Sequence, residues 1–543
     1  MTLSGMGRLD GRNAGLGAVA GVLAAGAALG VGQFVAGLTG ASGSPVVVVG
    51  ELQIDFTPPW LKNFAITEFG ADDKLVLVTG IVVVLGAFAA LVGAAATRRM
   101  AYGMAGIAVF AAVGLTAAAT RPHATVASLL PTLAAIASAV VVLHLLIPLV
   151  RPLARPAARA VSYDPVTGPA AAETAPAENG EAELAATDGS LRRSFLAAGA
   201  ATAGIAAGAG LAGRLLTERS SVARAQKSLR IPKPAVTTQA LPPGVDRHIP
   251  GLAPFVTPNG TFYRVDTALV LPQVDPSSWQ LRIHGMVDRE IMLTFDQLIK
   301  RPLIEDYITL CCVSNPVDGT YIGNAKWLGA SLAALLRQAG IKAGADQLLC
   351  TSVDGFTSGT PVQTVMDGRD ALLAVAMNGQ PLPIAHGFPA RMVVPGLYGY
   401  VSATKWVTDI EVTTFAGNYA YWAQRGWSQR APIKTECRID VPNGLSEITA
   451  GRTAVAGVAW AQHKGIEAVE VRVDRGPWQE ARLAAVPGLD TWRQWVWEWD
   501  ATSGGHVLEA RATDKTGYTQ TSALAPPEPN GATGYPMVSV PVR

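Results

Sequence analysis

The sequence predicts a multi-domain chain with transmembrane α-helices first, an α+β domain next and a β-sandwich last. Three observations predict it. Long apolar runs fill the first 155 residues, short alternating runs fill the part after Gly251, and Pro-rich linkers separate the two. Hydrophobic residues make up 49% of the 543 residues and charged residues 15%, an average of two unlike halves. The formal net charge is only +2, so no global field draws the chain to nucleic acid.

Four runs come first: Gly15–Leu38, Leu75–Ala96, Met104–Ala119 and Val126–Val150. Each approaches the roughly 20 apolar residues that span a bilayer core. They are rich in Gly, Ala, Ser and Thr, which let membrane helices approach closely. A fifth run, "SLRRSFLAAGAATAGIAAGAGLAG", places Arg192 and Arg193 just before an Ala/Gly stretch. It reads as a twin-arginine export signal or as an ordinary fifth helix. Both readings give one topology. Arg8 and Arg12, Arg98 and Arg99, Arg151, Arg155 and Arg159, and Arg192 and Arg193 all fall on one side if five runs span. The loop after the first run instead carries Glu51, Asp55, Glu68, Asp72 and Asp73 against Lys62 and Lys74, and the connection between the third and fourth runs has only Arg121. The basic side is expected to be cytoplasmic, which puts everything after about Arg214 outside. Residues 1–155 thus form a membrane domain, 156–190 a flexible linker, 191–216 the fifth helix and 217–250 a second, Pro-rich linker.

In the soluble part, "WQLRIHGMV" alternates as a strand does. "GASLAALLRQAGI" has helical spacing and closes on Gly340. "ARMVVPGLYGYVSATKWVTDIEVTTF" reads as two strands around a Gly-rich turn, which completes an α+β domain over 251–420. Residues 436–543 carry four alternating runs, from "TAVAGVAWA" to "HVLEARATDKTG", the rhythm of an immunoglobulin-like sandwich.

Two of the four cysteines, Cys311 and Cys312, are adjacent, and in a strand their side chains point to opposite faces. Cys311 suits a small buried hydrophobe. Cys312 opens the polar turn "CVSN", which presents a thiolate suited to a soft metal. Two buried structural cysteines fit the same residues. Cys350 and Cys437 are open to pairing on the outer side.

"CVSNPVDGTYIGNAKWLGASLAALLRQAGI" resembles the molybdenum-cofactor segment of the sulfite oxidase family, in which a Cys-x-x-Asn turn supplies the protein ligand to molybdenum. "NGTFYRVDT" and "NGQPLPIAHGFPARMVVPGLYGYVSATKW" are similar, in order, to two further segments of that family. "AVAGVAWAQHKGIEAVEVRVDRGPW" resembles its C-terminal dimerisation domain. The likeness covers about Thr257 to Gln520. It implies a molybdenum–molybdopterin cofactor, with Cys312 as metal ligand and, with Arg264, as catalytic residue. It further implies a cofactor-binding set of Asn259, Tyr263, Arg264, Asn315, Asp354, His386, Arg391, Ser402 and Lys405. The cations suit a dianionic phosphate and Asp354 suits pterin N–H groups.

The sequence departs from the family at the substrate side. Pro316 and Val317 stand where sulfite oxidases carry paired arginines, His463 and Lys464 where a second-domain arginine is expected, and Trp427 at the place of an active-site tyrosine. Arg425 or Arg264 would have to compensate, so sulfite is not the expected substrate. His144 is the one histidine within the runs and His123 lies in a loop, which leaves no axial pair for a b-type heme. The expectation is an outward-facing, membrane-anchored, molybdopterin-dependent oxidoreductase that transfers an oxygen atom to or from a small substrate. A quinone or an electron-transfer protein would be its redox partner, and a homodimer is implied by the resemblance. The competing reading is a decayed scaffold that keeps the fold as a binding module.

Overall fold

The computed structural model describes residues 11–39, 44–58, 61, 73–121, 125–150, 178–218, 221–444 and 447–543. Arg8, Lys62, Glu68, Asp72, His123, Arg151, Arg155, Arg159 and the expected linker up to residue 177 lie outside the described residues. The chain divides into two compact units, Met1–Ser220 and Ser221–Arg543.

Among the described residues of the first unit, five helices are long and apolar enough to cross a membrane: Asn13–Thr39, Val76–Arg98, Met100–Ala119, Val126–Val150 and Arg193–Leu216. In a bilayer each backbone polar group must bond within its own segment, so apolar runs of this length become helices. The small residues act as expected. A Cβ on Gly21 would run into the carbonyl of Ala89, and one on Gly93 into that of Gly17, so the first and second spans touch backbone to backbone. Gly30 and Gly37 meet Ala206 and Gly213 of the fifth span in the same way. The third span is separated from the second by Arg99 alone.

Two features go beyond the sequence reading. A helix over Pro45–Phe56 occupies the first loop, and its Glu51 pairs with Arg121 of the third connection, which sets those two loops on one side. The fifth span belongs to one 41-residue helix, Glu178–Glu218, so the helix begins twelve residues before the expected linker end at 190. The stretch "ENGEAELAATDG" is rich in Ala and Glu, strong helix formers, and it continues directly into the span behind it.

The second unit carries four sheets. Its first domain uses β1 (Gln280–Gly285), β2 (Ile291–Thr294), β3 (Leu303–Cys311), β4 (Ile322–Ser331), β5 (Gln347–Ser352), β6 (Thr357–Pro361), β7 (Leu372–Met377), β8 (Gln380–Pro381), β9 (Arg391–Val393) and β10 (Val407–Thr413). One sheet runs β2-β1-β10-β5-β6, with β1 and β10 parallel. The other runs β3-β4-β7-β8, and β9 joins β7. The predicted helix forms over Leu332–Ala339. Ser331 accepts from the Ala334 amide at its start, and Gly340 ends it at φ +75°. That left-handed position favours a residue without a Cβ. Leu332, Leu335, Leu336 and Ala339 are buried, the spacing of one helical face turned to the core.

The sandwich uses β11 (Glu436–Val441), β12 (Gly451–Trp460), β13 (Ile466–Val473), β14 (Gln479–Glu480), β15 (Arg482–Leu483), β16 (Arg493–Ala501), β17 (Gly504–Asp514) and β18 (Met537–Val542). Its sheets run β11-β12-β16-β15 and β14-β13-β17-β18. Trp495, Val455, Val469, Val471 and Leu508 fill the space between them. All four cysteines are free and buried. Cys350 sits in β5 and Cys437 in β11, so the open pairing resolves into two separate core thiols.

Candidate functional site

Strand β3 ends at Cys311, and the alternation of a strand turns that side chain into the core, where it is fully buried. Cys312 is the next residue, on the turn. Its amide donates to the Tyr321 carbonyl (2.9 Å), and the Asn315 amide donates back to the Cys312 carbonyl (3.1 Å). The Asn315 Oδ1 accepts from the Tyr321 amide at 2.7 Å. Cys312 is 8% exposed, and its Sγ lies 2.9 Å from the Ser314 Oγ. Burial pushes the thiol above its ordinary value, against the pull of Ser314 and Lys405.

Three cations gather beside this turn. Arg391 opens β9, Lys405 precedes β10, and Arg264 lies on the segment after the Pro258 turn. Arg391 is 5% exposed, and its hydrogen bonds go to the carbonyls of Met392, His386 and Ala403. The guanidinium stands 5.1 Å from the centroid of the Trp327 ring. It makes no carboxylate ion pair among the described residues. Burial pulls it down to about 10. Lys405 donates to Asp266 (2.8 Å) and to the Ala385 carbonyl (3.3 Å). Burial pulls the Lys405 amine down to about 8, and Asp266 partly restores it. Arg264 bonds the same carboxylate through its Nε at 2.8 Å. Three cations against the one carboxylate Asp266 leave a surplus of two positive charges.

His386 is buried beneath them. Its Nε2 donates to the Asn259 carbonyl at 3.2 Å, and the Phe262 ring packs edge-on 5.6 Å away. Burial, then the charge of Arg391, pulls His386 down to about 4. Protonation therefore occurs first in the unfolded chain. Stability from this group is complete above about 6.5 and is lost as pH falls toward 4. Urea unfolding of the cofactor-free protein at pH 7 and pH 5 is expected to show the loss. His386→Gln is expected to flatten that slope.

The structure thus brings together Tyr263, Arg264, Cys312, His386, Arg391 and Lys405. Tyr263 is partly buried and lies close enough to Cys312 and Arg391 to feel both. Three assigned residues are engaged differently. The Asn259 side chain bonds Met377 and Asn378 within the fold. The one hydroxyl proton of Ser402 is directed to the carbonyls of Leu397 and Tyr398, which leaves its backbone for any outside contact. Asp354 caps its own turn through the Phe356 amide at 3.2 Å. On the substrate side, Arg425 lies 3.5 Å over the Tyr421 ring, and Trp427 packs against Tyr400 and Trp422. His463 and Lys464 pair with Asp490 and Asp514.

Sequence reasoning missed Asp266, Ser314 and Trp327. Alternation in "YRVDT" sets Asp266 on the same side as Arg264, a signal that was available.

A buried thiol, a cation surplus of two and the Asn315 Nδ2, a buried donor with no partner, fit a soft metal joined to a dianionic group. The comparisons agree. The chain belongs to the oxidoreductase molybdopterin-binding family of sulfite oxidase type, whose domain matches residues 268–422. That family implies a molybdopterin cofactor. Mouse mitochondrial sulfite oxidase is 28% identical over 321 residues, covering 50% of this chain and 58% of its own. The uncharacterized oxidoreductase YuiH of Bacillus subtilis is 31% identical over 156 residues, which is 29% of this chain and 75% of its own. The chain spans about half the length of the rat sulfite oxidase, 52%. The sulfane dehydrogenase SoxCD of Paracoccus pantotrophus superposes with a TM-score of 0.45 at 24% identity, over 49% of this chain and 75% of that one.

Proposed function

We propose that the protein is a membrane-anchored, molybdenum-cofactor-dependent oxidoreductase that faces outward and moves an oxygen atom to or from a small substrate. The observation that carries it is Cys312 on a turn beside three cations, two of them largely buried, with Asp266 as their one carboxylate. When bound, the molybdenum centre supplies the two-electron redox chemistry. Cys312 is the thiolate ligand. Arg391 and Lys405 hold the phosphate by charge-assisted bonds, and His386 fixes the segment that carries them. Tyr263 and the backbone around Ser402 line the pterin, and Asn315 donates its free Nδ2 hydrogens. Asp354 would accept a pterin N–H through its second carboxylate oxygen, since the Phe356 amide takes Oδ1. Arg264, the most exposed of the three cations, is the residue left to meet an anionic or oxide substrate.

The paired arginines of sulfite oxidases are absent, and Arg425, His463 and Lys464 are occupied, so the substrate is an S- or N-oxide or another small oxyanion rather than sulfite. The five spans serve as anchor and as the place where a quinone or an electron-transfer protein docks. The Arg192–Arg193 pair lies inside a helix and acts as the export signal. The sandwich is the homodimer surface.

Purified full-length protein from a cofactor-competent host is expected to hold about one molybdenum and one pterin per chain, by metal analysis and pterin fluorescence. Metal-free wild-type protein from that host would sink the proposal and leave the scaffold reading.

A further inference from the structure

The turn that carries Cys312 is gripped from another domain. Past Asn315 the chain makes a second turn, in which the Gly319 amide donates to the Pro316 carbonyl at 2.9 Å. Asp318 sits there at φ +63°, a conformation that L side chains seldom hold without support. A Cβ on Gly319 would stand 2.5 Å from the Asn315 Oδ1, so the two turns are in contact. Strand β11 of the sandwich supplies the support. The Ile439 amide donates to the Asp318 Oδ1 at 2.9 Å. Arg438 donates to the Gly319 carbonyl at 3.0 Å. Its Nε is held by Asp440 at 2.6 Å, the guanidinium faces the Trp492 ring, and the residue is 6% exposed. Asp440 in turn accepts from the Ala253 amide at 3.0 Å.

We infer that β11 is a brace for the metal-ligand turn, with Arg438 and Asp318 as positioning residues that act on Cys312 through Gly319 and Asn315. This rests on the reading of Cys312 as the ligand for its use, but not for its mechanics. A fully buried guanidinium aimed at a turn carbonyl is an expensive way to join two domains, because loss of either partner strands a charge or a carbonyl. Interface strength alone is already supplied by Trp492, which donates to the Phe255 carbonyl, and by Gln462, which donates to the Thr309 carbonyl.

The four free buried thiols provide the test. Full-length chain is prepared in detergent without cofactor, and alkylation of each cysteine is timed by mass spectrometry. In Arg438→Lys and Asp318→Gly, Cys312 is expected to react about tenfold faster, the scale of one lost charge-assisted hydrogen bond. Cys350, which lies in β5 and touches neither residue, should keep its wild-type rate. Asp318→Asn tolerates the left-handed position and keeps the Oδ1 acceptor, so it should restore the slow rate. Equal Cys312 rates in all four proteins, or a rise shared by all four thiols, would overturn the brace. Molybdenum content of the loaded wild type decides the enzyme reading separately. If that content is normal, Arg438→Lys should also alter the electron paramagnetic resonance of the metal centre and lower kcat with KM unchanged.

Discussion

Cys312→Ser is expected to fold as the wild type does and to carry no molybdenum. Serine keeps the size and the contact with Ser314, but its hydroxyl stays protonated at neutral pH and is a hard donor where the site calls for a soft one. Loss of second-sphere partners already costs metal sites roughly 10–100-fold, so loss of the proposed protein ligand should exceed about a hundredfold in both metal content and turnover. Cys311→Ser is the control. Its side chain is fully buried in the core, so the new hydroxyl should cost about 1–3 kcal/mol of stability while metal is retained. Equal molybdenum in the wild type and Cys312→Ser would reject the ligand assignment, and loss in Cys311→Ser alone would reverse it.

Arg391→Met is expected to release the pterin. Each hydrogen bond to a charged group contributes about 1.5–3 kcal/mol, so two on one phosphate amount to at least a hundredfold in retention, roughly. Stability of the cofactor-free protein should move by only about 1 kcal/mol, because removal of a buried cation without a carboxylate partner relieves desolvation while three carbonyls lose their donor. Arg391→Lys should recover part of the retention, since a point charge lacks the planar fork. The measurement is pterin released on gel filtration, read beside urea unfolding of the cofactor-free forms. A large drop in stability with pterin content unchanged would make Arg391 a structural cation.

The membrane half was legible because a bilayer imposes one simple rule, a long apolar helix, and five runs obey it to within a few residues. The helix over Leu332–Ala339 was legible because Gly340 stops it locally. Cys312, His386, Arg391 and Lys405 were assigned through the resemblance of their segments to the sulfite oxidase family. The local link of Asp266 to Arg264 was readable, but its pairing with Lys405, 139 residues away, is encoded by no local pattern. Asn259 and Ser402 were assigned by residue type. Which hydrogen bonds such side chains make depends on the carbonyls that tertiary packing brings near, and here those are Met377, Leu397 and Tyr398. The start of the long helix at Glu178 was hidden by composition, since Ala and Glu serve linkers and helices alike.

The depth of Arg391 and His386 has a kinetic meaning. An anion held at Arg391 and His386, which are 5% and 6% exposed, would leave at a rate set by opening of the segment from His386 to Lys405 as well as by its own bonds. A protein of this kind keeps its prosthetic group by slow breathing, and agents that loosen the domain should empty it well before they unfold it.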